Sequence, residues 1–536
     1  MKADLVVVNG KIFTAAQKPR WAEALAVWKN RFCAVGSRAD IESLIGPDTE
    51  LIDARGGAVL PGLHDAHCHV ASMGAEHALQ VDCTPEKRRC IADLIAAFQE
   101  AAAETPEGKW LIGFGYDETK LAEKRHATRW ELDRASTRHP ILLKSFTYHF
   151  GVVNSKALEL AGIDRGTADP PGGLFERTAD GQPNGVCFEE AFFSWIPGFS
   201  KIKAIIPPYS EEEKARGLQI VCRDFNRMGL TSAGDASSDI HTLLACQEAD
   251  RRGALSVRLN LMIHESYFPA LRDAGIRTGF GNERCKIGSI KSFADGACAG
   301  RTVWLSTPYG EKPDYHGIPV KTPEELSEAV RSYHEAGFQV SVHANGDLAI
   351  NMVLDAYQKA LQSRPRENHR HRIEHCTFVT EEILKRMKRL GVAAAPFANY
   401  PITQGDKLDV YGDWIDMMFA HRSFLDHGVR IGASTDFPVV TANPFISLQS
   451  MTTRRYVDGR VLGGKQRVSV EEAVEIYTLG SAYLSFDEHI KGSIESGKLA
   501  DFVILDRDIF TIPLQEIGQV GVIRTVFDGR TVFQKD

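Results

Sequence analysis

The chain has 536 residues, too many for one ordinary hydrophobic core, so a large domain with at least one accessory domain is expected. Its 43% hydrophobic and 25% charged residues are typical of a globular protein. The net charge of −7 comes without any basic run that would suit a phosphate backbone, which argues against nucleic acid as a partner.

Cysteine usage and hydropathy indicate a cellular compartment. The 10 cysteines form no C-x-x-C pair, and the N-terminus MKADLVVVNG has too short an apolar run for a secretory signal. No apolar stretch approaches the roughly 20 residues of a membrane helix. These features predict a soluble protein of the reducing cytoplasm without a membrane partner, and they leave a homo-oligomer possible.

Both ends of the chain have the texture of short β-strands. Residues 1–58 contain LVVV, KIFT, ALAVW and FCAVG, with Asn9-Gly10 as a tight turn, and residues 485–536 contain DFVILD, VIRTVF and RTVF. Neither end can bury a β face alone, so we expect them to pair into one small β-sandwich.

From residue 59 onward, apolar strand runs alternate with amphipathic helical stretches, which is typical of βα units around a parallel sheet. Eight strands are predicted: AVLPGLHDAH, GLTSAGDA, VRLNLMIH, KIGSIKSF, FQVSVHA, HRIEHCTF, VAAAPFAN and VRIGAST. Helices are predicted over 211–228, 322–336 and 380–390, the first with Ser210 and Glu213 as a capping box. The sequence therefore predicts an α/β fold, a (β/α)8 barrel.

One interval interrupts this rhythm. Positions 69 and 291 are 222 residues apart (291 − 69), whereas three βα units need roughly 90 to 110. A structureless loop of that length is improbable, so a folded α/β insertion beside the barrel mouth is expected. The predicted divisions are 1–58 for the first half of the sandwich, 59–74 for strand 1, 75–211 for the insertion, 212–484 for the remaining barrel and 485–536 for the second half of the sandwich.

Metal-type residues recur at the ends of the predicted strands. His67 and His69 lie two apart on a strand, so both imidazoles point to one face and can hold one ion. Further candidates end four other strands: Lys291, His343, His375 and Asp436. Barrel enzymes carry their active sites at this edge.

Each of these residues has an ordinary structural interpretation when taken alone. A lone strand histidine such as His343 or His375 is more often a hydrogen-bonded core residue. Asp436 alone could be a helix cap, and Lys291 alone a surface lysine or an ion-pair partner. Their recurrence at one end of successive strands favours a shared metal site.

In these motifs the chain resembles the amidohydrolase superfamily, and within it the YtcJ-like branch that includes N-substituted formamide deformylases. The matching pieces are PGLHDAHCH, HFGVVNSKAL, KSFADGACAGRT, VHANGD, RIEHC, STDFPV and GSIESGKLADFVILDRD, which run almost from end to end. The resemblance implies one or two divalent ions held by the six candidate residues. Imidazole and carboxylate are ordinary ligands of Zn²⁺, although Fe²⁺ or Mn²⁺ could also be held. The resemblance further implies that Lys291 carries CO₂ as a bridging carbamate and that Asp436 is the catalytic acid and base.

The function expected from this site is hydrolysis of a non-peptide C–N bond, such as an amide, N-formyl or cyclic amide or imide bond, in a small molecule by a metal-activated water. Two alternatives stay open. The same site would serve an ester or lactone, and the barrel could instead be a non-catalytic, ligand-binding or regulatory protein.

Substrate-contacting residues are less sharply indicated. His149 and Asn154 in TYHFGVVNSKAL, and Asp117 in GFGYDET, belong to the insertion and could orient a substrate. His149 could equally support packing inside the insertion. Asp295 and Arg301 follow Lys291 in FADGACAGRT and could contact the substrate, although a purely structural Asp-Gly turn would look the same.

Overall fold

The computed structural model describes residues 2–146, 150–171, 173–196, 205–298, 300–309 and 314–535. They form two compact units, Met1–Gly74 with Leu218–Asp536, and Ala75–Gly217.

The first unit begins with strands of a β-sandwich. They are β1 (Leu5–Val8), β2 (Lys11–Phe13), β3 (Trp21–Ala22), β4 (Ala24–Trp28), β5 (Arg31–Gly36), β6 (Glu50–Asp53) and β7 (Ala58–Pro61), followed by β8 (Leu63–Cys68), with one helix, α1 (Arg38–Glu42).

The second unit is a mixed sheet with helices. Its strands are β9 (Val81–Asp82), β10 (Leu111–Tyr116), β11 (Ile141–Ser145), β12 (Phe150–Val153), β13 (Gly173–Arg177) and β14 (Pro183–Glu189), in the order β13-β14-β12-β11-β10-β9. Its helices are α2 (Ala75–His77), α3 (Ile91–Glu104), α4 (Arg129–Asp133), α5 (Ser155–Ala161) and α6 (Glu190–Phe193). Two buried hydrophobic clusters, one containing Phe98 and the other Phe192, form its core.

After α6 the chain alternates helices and strands. In order these are α7 (Glu211–Arg227), β15 (Leu230–Ser238), α8 (Ile240–Arg251), β16 (Arg258–His264), α9 (Phe268–Asp273), β17 (Cys285–Phe293), α10 (Pro323–Glu335), β18 (Gln339–Ala344), α11 (Asp347–Ser363), β19 (Arg372–His375), α12 (Glu381–Leu390) and β20 (Ala393–Pro396). The predicted helices 211–228, 322–336 and 380–390 are α7, α10 and α12, and Ser210 and Glu213 make the predicted capping box.

The last part of the chain is helical and then returns to the sandwich. It contains α13 (Tyr400–Thr403), α14 (His421–Asp426), α15 (Pro444–Thr453), α16 (Val470–Glu475), α17 (Ser481–Leu484), β21 (Phe502–Leu505), β22 (Val522–Phe527) and β23 (Arg530–Gln534). Short 3₁₀ and π turns occur at Val70–Gly74, Glu118–Lys120, Glu265–Tyr267, Gly405–Lys407, Asp409–Met417, Gly464–Gln466, Ile476–Gly480 and Leu514–Gln519.

The two ends of the chain share one β-sandwich, as predicted. One sheet has the order β5-β4-β1-β6 and the other β23-β22-β21-β7-β2-β3. Within the second sheet β7 and β21 pair antiparallel, with Leu60 opposite Val503. The inward residues of both sheets, among them Val7, Val27 and Ile504, form one buried core.

The barrel consists of seven parallel strands in the order β20-β19-β18-β17-β16-β15-β8, closed by an eighth segment. In this segment Ile431 forms a parallel bridge with Ala394 of β20, and Ser434 forms one with Phe397, just after β20. On its other side Ala66 donates to the Ala433 carbonyl over 2.7 Å. The predicted α/β fold with a barrel, a terminal sandwich and an insertion after strand 1 is therefore confirmed, with the eighth strand reduced to bridges.

The predicted first barrel strand, AVLPGLHDAH, is two strands. β7 belongs to the sandwich and β8 to the barrel, with Gly62 between them. A Cβ at Gly62 would lie 2.1 Å from Thr231 Oγ1, so only glycine permits this approach.

Within the described ranges, no helix is both long and apolar enough to cross a bilayer.

Candidate metal centre

The six candidate ligands lie at the carboxyl-terminal edge of the barrel. Lys291 is the third residue from the end of β17, His343 the second from the end of β18, and His375 ends β19. Asp436 follows the eighth segment, and its backbone amide donates to the His67 carbonyl over 2.9 Å. This hydrogen bond places the carboxylate of the last segment beside the imidazoles of the first strand.

His67, His69 and Asp436 form a tight cluster of donor atoms. Asp436 Oδ1 lies 3.3 Å from Nε2 of His67 and 3.2 Å from Nε2 of His69. One ligand atom from each residue lies within 4.8 Å of the others. Burial raises the pKa of Asp436, but His375, His67 and His69 hold it well below its usual range, so the carboxylate is ionised.

The second ring nitrogen of each histidine in this cluster is held by an acceptor. Nδ1 of His67 forms a short hydrogen bond with Glu374, and Nδ1 of His69 lies 2.9 Å from the Ala236 carbonyl. Nδ1 of each ring is thereby committed to its acceptor, and Nε2 is the nitrogen that faces Asp436. Such contacts fix the tautomer and ring orientation of metal-binding histidines.

Glu374 is itself held by Arg372 of the same strand. Nε of Arg372 lies 2.5 Å from Glu374 Oε1, and its Nη2 donates to Oε2 over 2.8 Å and to the Ala66 carbonyl over 2.9 Å. Burial raises the pKa of Glu374, but the charges of Arg372 and His67 lower it far below its usual range. Glu374 is therefore ionised, and its negative charge lies beside Nδ1 of His67.

His375 and His343 extend the row of imidazoles. The ring centroid of His375 lies 4.8 Å from that of His67 and 4.7 Å from that of His343. Nδ1 of His375 is buried and has no hydrogen-bond partner among the described residues. His343 Nε2 lies 3.0 Å from the Gly296 carbonyl, and burial together with Lys291 lowers the pKa of His343 to about 3.

The backbone is strained at three residues in or beside the candidate metal centre. His375 has φ +66°, Cys376 φ +44° and Asp436 φ +61°, in the left-handed region that favours glycine. Strand alternation would turn Glu374 and His375 to opposite faces, yet both side chains lie beside His67. Strained residues of this kind concentrate at functional sites.

Lys291 is 1% exposed, and its Nζ lies 3.9 Å from the centre of the Phe293 ring. Burial is the main cause that lowers its pKa to about 8, against the opposing charges of Glu374 and Asp436. A substantial fraction of this amine is therefore neutral near pH 8.

The residues present fit a divalent cation. Imidazole nitrogen and carboxylate oxygen are the non-thiolate ligands of Zn²⁺, and the described part of the centre supplies four imidazoles and one ionised carboxylate. The unpartnered Nδ1 of His375 is a buried donor atom that an ion would satisfy.

The residues predicted to contact the substrate lie in several different surroundings. Asp295 is buried, and its oxygens accept the backbone amides of Asn345 (2.9 Å), Gly346 (2.8 Å) and Trp304 (3.0 Å). Burial raises its pKa to about 7. These bonds give Asp295 a place in ordering the chain around His343, and substrate contact by it stays a prediction.

Arg301 is exposed, has φ +52°, and accepts the Tyr315 hydroxyl at its carbonyl over 3.0 Å. Asp117, in the second unit, caps the turn Glu118–Lys120 by accepting the Thr119 amide over 2.9 Å. For both residues a role in substrate binding stays a prediction. His149 lies outside the described residues.

The hypothesis that Asn154 orients a substrate is wrong. Its side chain is fully buried, accepts the amides of Ile141 and Ala157, and donates to the carbonyls of Ser136 and His139. These four hydrogen bonds leave the amide group no capacity for a ligand.

Sequence reasoning did not identify Glu374 or Asp235. Asp235 is buried in the second half of β15, where Oδ1 accepts the amides of Ala71 (2.7 Å) and Ser72 (3.2 Å) and so orders the chain after His69. In the sequence, Glu374 was indicated only by its position next to His375 in RIEHC, and Asp235 only by its position near the end of a predicted strand in SAGDA.

The structure combines a closed parallel barrel with imidazoles, a buried lysine and an ionised carboxylate at the carboxyl-terminal edge of its strands. These features define a barrel protein with a candidate metal centre at the edge where barrel enzymes carry their active sites. The chain belongs to the amidohydrolase family, whose model matches residues 50–533.

Two relatives match over nearly their whole length. The YtcJ protein of Bacillus subtilis is 30% identical over 98% of this chain and 99% of its own. N-substituted formamide deformylase of Arthrobacter pascens is 27% identical over 98% of this chain and 97% of its own. Among solved structures, an uncharacterised metal-dependent hydrolase of Pyrococcus furiosus is 25% identical, with a TM-score of 0.78 over 95% of this chain and 100% of that one. The resemblance to the YtcJ-like branch is thereby confirmed.

Proposed function

We propose that the protein is a metal-dependent hydrolase of a non-peptide C–N bond in a small molecule: an amide, an N-formyl group, or a cyclic amide or imide. The observation that carries this proposal is the cluster of His67, His69 and Asp436, with donor atoms within 4.8 Å of one another at the barrel edge. The named activities of the deformylase and of the archaeal metal-dependent hydrolase support it.

The residues that would hold one or two divalent ions, with Zn²⁺ as the first candidate, are His67, His69, Lys291, His343, His375 and Asp436. A bound ion would acidify water and polarise the substrate carbonyl. Glu374 and the Ala236 carbonyl orient the two histidines of the first strand for this purpose.

Asp436 is the acid and base of the proposed reaction. Its carboxylate is ionised and lies at the centre of the cluster, so it can accept the proton of the attacking water. It then passes that proton to the leaving nitrogen, which departs poorly as an anion. An acid–base residue at this position therefore serves both halves of the reaction.

Lys291 is proposed to carry a carbamate. Its amine is buried and has a pKa of about 8, so a neutral fraction is available to attack CO₂ and release one proton. The product is an anion, whereas a protonated ammonium would repel cations. The carbamate thus makes Lys291 compatible with the other ligands.

The remaining parts of the proposed function are substrate choice, cellular compartment and oligomeric state. We assign the insertion, residues 75–211, and the loop after β17 a part in substrate choice, through Asp117, His149, Asp295 and Arg301. The cysteines are all free, which suits a reducing cytoplasm. A homo-oligomer fits an enzyme of this kind.

The test is metal analysis combined with a substrate panel. Purified protein should contain one to two equivalents of a divalent ion and hydrolyse members of a panel of N-formyl amides, N-acyl amides and cyclic imides. Chelation should abolish the activity until Zn²⁺, Mn²⁺ or Co²⁺ is returned. Preference for esters or lactones would change the assigned bond, and full activity of metal-free protein would refute the proposal.

A further inference from the structure

One buried tyrosine differs from all the others in the described part of the chain. Seven tyrosines there are at most 7% exposed. Six of their hydroxyls are hydrogen bonded, at Tyr116, Tyr309, Tyr333, Tyr357, Tyr411 and Tyr477. The seventh, Tyr400, is 4% exposed, and its hydroxyl has no hydrogen-bond partner among the described residues. Buried tyrosine hydroxyls normally find a partner, so this exception indicates a role other than packing.

The hydroxyl of Tyr400 is nevertheless accessible to a small molecule. Nδ1 of His375 also lacks a partner, but that atom is fully enclosed by protein. The Tyr400 oxygen is not enclosed in this way, although the ring that carries it is buried. The small exposed part of Tyr400 therefore includes its oxygen, which a water molecule or a substrate atom can reach.

Tyr400 lies at the same edge of the barrel as the candidate ligands. It begins α13, four residues after β20 ends at Pro396. The chain before it is tied to both sides of Asp436, because the Ala398 amide donates to the Ser434 carbonyl over 2.8 Å and Asn399 Nδ2 donates to the Thr441 carbonyl over 2.9 Å. The backbone that carries Tyr400 is thus fixed beside the proposed acid and base.

Stacked aromatic rings fix the side chain of Tyr400. Its ring centroid lies 5.2 Å from that of Phe419 in a stacked arrangement and 4.9 Å from that of Phe397. Phe397 in turn stacks on the imidazole of His375, with the ring centroids 4.4 Å apart. One ring therefore separates Tyr400 from a candidate ligand, and its hydroxyl is held in place before any substrate arrives.

The surroundings of the hydroxyl keep it protonated. Burial raises the pKa of Tyr400, and Cys298 and the negative charge of Asp436 raise it further. Cys298 lies on the loop after β17, whereas Asp436 follows the eighth segment, so the hydroxyl is within electrostatic reach of two sides of the barrel mouth. A protonated hydroxyl without a partner is a hydrogen-bond donor in reserve.

We propose that Tyr400 is a further catalytic residue of the proposed hydrolysis, on which this inference rests, and that its hydroxyl donates to the substrate carbonyl oxygen as that oxygen becomes an anion. The water oxygen bonds to the carbonyl carbon while one of its protons passes to Asp436, and the π electrons move to the oxygen that Tyr400 holds. When the C–N bond breaks, these electrons restore the carbonyl and Asp436 returns the proton to the nitrogen. Tyr400 keeps its own proton throughout.

Tyr400→Phe tests this role, because it keeps the ring and removes the hydroxyl. On the best substrate of the panel, kcat should fall by about 100- to 1,000-fold, the scale of losing one oxyanion donor, with KM and metal content almost unchanged. Tyr411→Phe is the matched control: it is 5% exposed in the same hydrophobic cluster, and its hydroxyl donates to the Cys298 carbonyl over 2.7 Å. Tyr411→Phe should lower the unfolding temperature and leave kcat almost unchanged, whereas Tyr400→Phe should not lower it.

Calorimetric titration of the metal-loaded protein with methylphosphonate tests the same hydroxyl without catalysis. This tetrahedral anion has the shape of the reaction intermediate, so Tyr400→Phe should bind it at least about tenfold more weakly than the wild type, and Tyr411→Phe equally well.

Three results would overturn the role of Tyr400 while leaving the hydrolysis in place: an unchanged kcat in Tyr400→Phe, equal losses in both variants, or methylphosphonate affinity that does not depend on Tyr400. Absence of methylphosphonate binding to the wild type would likewise remove the proposed donor. A wild type that hydrolyses nothing in the panel but binds methylphosphonate through Tyr400 would instead refute the hydrolysis and reduce Tyr400 to an anion-binding residue.

Discussion

Glu374 illustrates how one residue can control a site that it does not enter. Its carboxylate accepts from Nδ1 of His67 and is held by Arg372, so it sets the direction in which the Nε2 lone pair points. Because outer partners of this kind typically contribute 10- to 100-fold to metal affinity, we expect Glu374→Gln to weaken metal binding by about that factor. Competition with a chromogenic chelator measures the change.

The control for Glu374 is a similar ion pair far from the metal centre. Arg258 and Asp501 are almost fully buried and are joined by hydrogen bonds of 2.6 and 2.9 Å between the barrel and the sandwich. Asp501→Asn should lower the unfolding temperature without changing metal affinity. Unchanged metal affinity in Glu374→Gln would show that the contact with His67 is only structural.

Lys291 gives a second prediction at the residue scale. Lys291→Ala should lose one metal equivalent and most activity, and millimolar propionate should partly restore both by taking the place of the carbamate. Lys491 is the matched control, because it is also buried with a pKa of about 8 but lies at the other end of the barrel. Propionate should have no effect on Lys491→Met. An unmodified mass for Lys291 in a fully metallated, active enzyme would refute the carbamate.

Asp436 gives a third prediction at the residue scale. Asp436→Asn removes the proton acceptor while retaining the size of the side chain, so kcat should fall by about 100-fold or more while the fold persists. Steady-state kinetics on the best substrate of the panel, with circular dichroism as the check on folding, measures this. A change confined to KM would show that Asp436 binds substrate rather than transferring protons.

At the scale of elements, a row of buried histidines joins α10, β18 and the segment before β19. His371 accepts the Val340 amide at Nδ1, so its Nε2 donates to Nδ1 of His334, whose Nε2 donates to the Arg364 carbonyl. Burial lowers the pKa of His334 and of His371, and it lowers that of neighbouring His369 to about 4. A proton added to the acceptor nitrogen of His334 would face the proton of His371.

These histidines predict a loss of stability in acid. The pKa values of these histidines in the folded protein lie below the unfolded value of about 6.5. The free energy of unfolding is therefore not reduced by their protonation above about pH 6.5. It decreases as the pH falls towards 4, by up to about 1.4 kcal/mol per pH unit for each group. His334→Gln keeps a hydrogen-bonding group that does not titrate, so its unfolding temperature should fall less between pH 7 and pH 5 than that of the wild type. Exposed His489→Gln is the control, and equal decreases in all three proteins would contradict this account.

Gly62 is the junction at which one run of sequence changes sheets. Because a Cβ there would meet Thr231 Oγ1 at 2.1 Å, Gly62→Ala should destabilise the protein by about 1–3 kcal/mol, the usual range for overpacking. Thr231→Ala in the same chain should recover part of the loss. Gly166→Ala, where the nearest atom is 3.4 Å away, should be almost neutral, and thermal unfolding compares the three variants.

At the scale of the whole molecule, every candidate ligand belongs to the unit formed by Met1–Gly74 and Leu218–Asp536. A bound ion therefore stabilises that unit directly, by about 4 kcal/mol when the free metal exceeds its Kd 1,000-fold. Differential scanning calorimetry should show metal removal shifting the transition of this unit and leaving that of Ala75–Gly217 in place. A single transition that shifts as one would show that the two units unfold together.

Much of this architecture could be predicted from the sequence because its signals are local. Alternating strand runs and helices located α7, α10 and α12 within one or two residues, since hydrophobic periodicity and capping residues act over a few positions. The recurrence of histidine, lysine and aspartate at strand ends indicated a shared site, because parallel barrel strands end at the same edge. Membership of the amidohydrolase family followed from those same motifs.

Other features depend on residues that are far apart in the chain, and only the tertiary structure decided them. The contact of Glu374 with His67 spans 307 positions, and the left-handed backbone at His375 brings two neighbours on a strand to the same ring. The change of sheet at Gly62 follows from the close approach of Thr231. The cavity of about 320 Å³ beside Asn260, Lys286 and Gln339, at the amino ends of barrel strands, is lined by six separate segments. Such arrangements are set by chain packing, which periodicity and motif spacing do not encode.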